Sequence, residues 1–191
     1  MIGSYLFPHI FAGFKQLYPA LELMVIEEGS LAIRNMLEQD QLDLGIVITS
    51  DLSAPLNAKR ITKSEIVVCV SPLHPLAEQT CVGFDALQRE PFILLKEDTY
   101  HRRIILQECK KYGFDPKIIL SSSQIDTIKG LVATGVGISF LLDVIASQDQ
   151  RIHCIPLESP LFVEIGLTWK KDRYLSKASQ SFIEYMSMRI N

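Results

Sequence analysis

Residues 121–142, SSSQIDTIKGLVATGVGISFLL, constrain the fold more than any other stretch of this chain. A polar serine run opens an amphipathic helix. The helix ends in Gly135-Val136-Gly137, and a short apolar strand follows. Serines at a helix start leave hydroxyls and backbone N–H groups directed beyond the helix, where an anionic ligand is readily held. The glycines let the chain turn sharply back into a sheet. By itself, the stretch describes either a capped helix packed on a sheet or one wall of a small-molecule site.

With 191 residues, the chain has room for one large domain or two small lobes, each with a modest core. Apolar residues at 48%, charged residues at 21% and a net charge of -3 exclude a disordered chain and a basic nucleic-acid-binding surface. No apolar run approaches the roughly 18 to 20 residues that span a bilayer. The segment MIGSYLFPHIFAGFKQLYP lacks a basic n-region and a small-residue cleavage site, so a cytoplasmic protein with no membrane partner is expected. Cys69, Cys81, Cys109 and Cys154 form no CxxC pair and share no metal-ligand spacing with His74, His101 or His153, so neither a metal nor a cofactor is expected. Cys69 and Cys154 sit in apolar strand-like runs, IVVCV and RIHCI, and read as buried inert thiols.

Strand and helix signals alternate. Helices are expected over residues 4–17, from Ser30 through Leu37, over 84–87, 100–112 and 124–134, and over 176–189. Strands are expected over 21–27, 42–49, 61–71, 91–95, 118–121, 138–142, 152–156 and 163–169. The rhythm predicts an α/β fold with mostly parallel sheets.

Taken together, YPALELMVIEEGS, LEQDQLDLGIVIT, VCVSPLHPLA, LVATGVGISFL and IGLTWKKDRYLSKASQSFIEYM closely resemble the effector-binding domain of LysR-type transcriptional regulators. The motifs cover essentially the whole chain in the right order. The resemblance implies two Rossmann-like lobes joined by two crossover strands, similar to type 2 periplasmic binding proteins. Lobe I would comprise residues 1–60 plus 150–191, and lobe II residues 61–149. A small, anionic effector would lie in the cleft between lobes, and the domains would pair as homodimers. The winged helix-turn-helix and linker helix that such a regulator uses on DNA are absent from this sequence. Family domains also begin with a strand ahead of the helix that here starts near Ser4, so the first strand is expected to be missing.

The resemblance assigns effector contacts to Ser30 and to Thr49 at the end of the LDLGIVI strand. Ser30 also reads as a plain N-cap. In KEDTYHRR, Thr99 is a candidate cap, with Tyr100, His101 and Arg102 available to a ligand. An arginine fork grips a carboxylate or phosphate through two charge-assisted hydrogen bonds. Adjacent Arg102 and Arg103 cannot both face one site from a helix, and the sequence leaves open which one does. Ser123 with Asp126 resembles a capping box, which frees Ser122 for a ligand.

Other chemistries fit poorly. Peroxide-sensing relatives place two cysteines in the segment matching Leu94 to Cys109, and here Tyr100 replaces the reactive one. Gly135-Val136-Gly137 follows a helix instead of opening one, so it is no dinucleotide fingerprint, and no GxSxG elbow or P-loop occurs. An enzyme is not expected. The remaining rival is a transporter's solute-binding protein of the same fold.

Overall fold

The computed structural model describes residues 2–189. The chain divides into two units: residues 1–63 with 164–191, and residues 64–163. It passes between them twice, within the long strands β2 (Leu56–Val70) and β7 (Leu161–Lys170).

In the first unit, α1 (Ile2–Leu17) and α6 (Lys177–Arg189) share a core of Ile10, Phe14, Leu167, Phe182, Tyr185 and Met186. Phe14 meets the Phe182 ring edge-on, with centroids 4.9 Å apart, the arrangement that aromatic quadrupoles favour. A second cluster packs α2 (Ser30–Glu38) on β1 (Gly45–Ile48): Ile33 and Leu37 lie four residues apart on one helical face, against Val47. Strand β1 pairs antiparallel with β7, Gly45 opposite Thr168 and Ile48 opposite Ile165.

In the second unit, β3 (Pro91–Leu95) and β4 (Lys117–Ser122) form a parallel pair, connected by α3 (Tyr100–Lys111). Helix α4 (Ile125–Ala133) leads from β4 to β5 (Ser139–Leu142), and the short α5 (Asp143–Ala146) precedes β6 (His153–Ile155). Both β5 and β6 pair antiparallel with the end of β2. Phe92, Ile93, Leu94, Ile105, Ile128, Ile138 and Phe140 are fully buried here. Gly135 and Gly137 do different work. Gly135 holds φ at +76°, in the left-handed region, while a Cβ on Gly137 would stand 2.5 Å from the Pro91 carbonyl oxygen.

Two expectations fail. Among the described residues the ladders β1–β7, β2–β5 and β2–β6 are antiparallel, while β3–β4 and the isolated bridges Val82–Leu157 and Phe92–Ile138 are parallel. Apolar periodicity identifies strands but carries no direction, and direction here is set by β2 and β7. Residues 21–27 form no strand among the described residues, and Met24 is 88% exposed. Strand β2 also begins earlier than its apolar run, because LNAKR joins the ladder despite its polar residues.

Candidate functional site

The parallel pair β3–β4 ends where α3 and α4 begin, and four of the expected site residues gather at the start of α3. Thr99 is its N-cap: the hydroxyl oxygen accepts from the Arg102 N–H (3.3 Å), and the hydroxyl donates to the Lys96 carbonyl (2.7 Å). Arg102 is buried and turns inward. Its Nη1 donates to the Leu95 carbonyl (3.0 Å) and to Ser121 Oγ (2.6 Å), and Nη2 donates to Glu97 Oε1 (3.3 Å). The guanidinium therefore ties the start of α3 to the ends of both strands, with three of its five N–H groups on protein acceptors. Arg103 is exposed, with its guanidinium carbon 5.9 Å from the Tyr100 ring centroid, within cation–π range.

Tyr100 and His101 are buried, so neither offers a side chain at the surface. His101 is 1% exposed, and neither ring nitrogen finds a hydrogen-bond partner among the described residues. Burial disfavours its charged form and holds the imidazole down at about 4. It is neutral at pH 7.

At the start of α4 neither serine caps the helix. Ser122 Oγ accepts from the Gln124 N–H at 3.0 Å, which makes the local turn, and the N-cap position falls on Gln124 without a side-chain capping bond. Ser123 is exposed, one residue ahead of the cap, and does not form the expected capping box with Asp126. A serine hydroxyl two residues before a backbone N–H competes well with capping at the next position.

The first unit repeats part of this plan. The N-cap of α2 is Gly29, not Ser30, and Ser30 Oγ accepts instead from the Ile48 N–H at the end of β1 (3.4 Å). Thr49 continues the ladder beyond β1: its N–H (2.8 Å) and its hydroxyl (3.3 Å) both donate to the Glu164 carbonyl. Buried Arg34, which the sequence reading passed over, donates to the carbonyls of Ile48, of Ser50 (2.8 Å) and of Asp51 (3.4 Å). Its signal was legible: a cation between Ile33 and Leu37 on the buried face of an amphipathic helix needs acceptors. Lys129 was missed for the same reason; buried on α4, it donates to the Ile145 carbonyl at 2.7 Å. Ser121 gave no sequence signal, since nothing separates it from its two neighbours.

The cysteines of the peroxide-sensor comparison are also placed. Cys109 is buried, and burial pushes its thiol up to about 12, so it is not a reactive thiolate.

Residues 1–190 match the family model of the LysR substrate binding domain. The chain belongs to that family. This LysR substrate binding domain is 32% identical to the uncharacterized HTH-type transcriptional regulator YwbI of Bacillus subtilis, over 97% of this chain and 62% of that protein. It thus spans about 62% of the length of that curated relative. Two solved structures share the fold. The regulatory domain of Synechocystis PCC6803 CcmR in complex with 2-PG matches with a TM-score of 0.88 and 23% identity, over 97% of this chain and 91% of that one. The effector binding domain of QuiR in complex with shikimate matches at 0.84 and 21%, over 97% and 90%. Membership of a family of transcriptional regulators favours the effector-binding reading over a transporter's solute-binding protein. No helix among the described residues is long and apolar enough to cross a membrane.

Proposed function

We propose that this LysR substrate binding domain senses a small anionic metabolite for a longer, cytoplasmic transcriptional regulator. The observation that carries the reading is the tie that Arg102 makes from the start of α3 to the ends of β3 and β4, at the Leu95 carbonyl and Ser121 Oγ. Two helix N-termini converge there, where backbone N–H groups and helix dipoles favour negative charge. Arg102 adds a fixed positive charge to this end of the unit. Both Nη1 hydrogens are engaged by Leu95 and Ser121, so it acts on the effector chiefly through electrostatic potential and by positioning Ser121. Direct contacts fall to Ser122, Ser123 and the exposed N–H groups at the start of α4, with Thr99 setting the entry of α3. In the first unit, Ser30 and Thr49 take the corresponding part at the end of β1. QuiR and CcmR, which share the fold, are solved with shikimate and 2-PG, and a carboxylate or phosphate suits these donors.

In the longer protein, the domains pair as homodimers, and effector binding shifts the equilibrium between two conformations that a DNA-binding region reads. A ligand moves that equilibrium only by its differential affinity for the two states.

The test is thermal-shift screening of this chain against hydroxy acids, dicarboxylates and phosphorylated acids, shikimate included. A ligand at about 100 times its Kd stabilises by about 2.7 kcal/mol, enough to raise Tm by several degrees. A hit whose shift is lost in Ser122→Ala and Ser123→Ala supports the site. A hit undiminished in both places the ligand elsewhere. If no acid in the screen shifts Tm, the anionic reading is wrong.

A further inference from the structure

Cys69 and Cys154 are roughly 85 positions apart in the sequence yet stand directly opposite each other in the antiparallel β2–β6 pair, flanked by Val68 opposite Ile155 and Val70 opposite His153. Directly opposed residues of antiparallel strands have Cα atoms about 4.5 to 5.5 Å apart. That range lies inside the roughly 4.4 to 6.8 Å that a disulfide requires. Cys69 and Cys154 both belong to the second unit, so the opposition is fixed by the ladder itself.

We propose that Cys69 and Cys154 form a reversible cross-strand thiol–disulfide pair, a modification site that a small-molecule disulfide oxidises. Their surroundings give the two thiols different parts. Cys69 is fully buried, and Cys154 is partly exposed on the short strand β6. The Cys69 thiol, in hydrogen-bonding contact with the Cys154 sulphur, favours a thiolate on Cys154 and lowers its proton affinity. The same contact, with burial added, raises that of Cys69. The Lys129 ammonium assists the Cys154 thiolate, while Asp143 and Asp149 oppose it. Cys154 is therefore the attacking thiolate and Cys69 the resolving thiol.

The chemistry balances in two exchanges. The Cys154 thiolate attacks one sulphur of the small disulfide, forms a mixed disulfide and releases one thiolate. The Cys69 sulphur then attacks the Cys154 sulphur, its proton passes to the departing group, and the second small thiol leaves. The pair loses two electrons, and the small disulfide is reduced to two thiol equivalents. The new bond fastens β6 to β2 and closes a long loop, which stabilises the native state chiefly by constraining the unfolded chain.

The experiment uses the full chain carrying Cys81→Ser, which removes the exposed cysteine. The protein is incubated with glutathione disulfide, quenched in acid, alkylated and digested for mass spectrometry. The expected product is a peptide pair linked through Cys69 and Cys154 with Cys109 alkylated, and a Tm raised by several degrees that dithiothreitol reverses. In Cys69→Ala, glutathione should remain on Cys154. If the Cys69→Ala chain does not fold, the linkage in Cys81→Ser alone decides. A mixed disulfide that stalls on Cys154 while Cys69 is present, or two unreacted thiols after prolonged exposure, overturns the proposal.

Discussion

Arg102 Nη1 donates to Ser121 Oγ at 2.6 Å, and this bond joins the first turn of α3 to the last residues of β4. The same nitrogen serves the Leu95 carbonyl at the end of β3. The exposed Glu97 adds little, because an ion pair with one solvated partner is worth about 0 to 1 kcal/mol. Arg102→Ala removes one buried and one part-buried hydrogen bond from a charged donor and leaves the Leu95 carbonyl short of a partner. A loss of about 2 to 4 kcal/mol is expected in urea denaturation. Ser121→Ala should cost about 1 to 2 kcal/mol, and the double variant less than the sum of the two.

His101 predicts a pH dependence. Its folded-state value, about 4, lies below the ordinary 6.5, so between these limits the unfolded chain binds a proton that the folded chain does not. The stability due to neutral burial is complete above pH 6.5 and falls as the pH drops toward 4. The loss is about 1.4 kcal/mol per unit, or roughly 3 kcal/mol in all. Since neither ring nitrogen has a hydrogen-bond partner among the described residues, His101→Leu should flatten this part of the stability profile without destabilising the protein at pH 7. Chemical denaturation of the two proteins between pH 4 and 8 measures the difference. Parallel profiles would contradict it.

Gly137→Ala would place a methyl group 2.5 Å from the Pro91 carbonyl oxygen, a backbone atom that takes part in the Ile138 N–H bond (2.9 Å). The strand entry must shift to admit it, at about 1 to 3 kcal/mol. Gly113, also at positive φ, has open space around it, so Gly113→Ala should cost only about 1 kcal/mol of backbone strain. Urea midpoints of the two variants, compared at equal m, give the ranking directly.

Much of this architecture was legible in the chain. The helix from Tyr100 was signalled by Thr99 and stopped at Gly113, and the amphipathic α4 and the buried strand β1 lie within a few residues of their expected limits. What escaped was what depends on partners distant in sequence. Residues 21–27 carry strand-forming side chains but form no strand among the described residues, and propensity alone does not make a ladder. Cys69 and Cys154 looked like two separate inert thiols because register is invisible until β2 and β6 are paired. At the candidate site, Thr99 opens α3 and the serines stand between β4 and α4, as the sequence led one to expect. The part played by each side chain was not legible, since facing in or out of α3 depends on Leu95 and Ser121 accepting from Arg102.

The central claim, that an anionic effector is held where α3 and α4 begin, is tested most directly by amide chemical-shift mapping on labelled protein titrated with an acid found in the thermal screen. The account predicts saturable shifts concentrated at residues 99–103 and 121–126, and little change along α6. Shifts confined to other surfaces, with the amides of 121–126 unmoved at saturation, would contradict it.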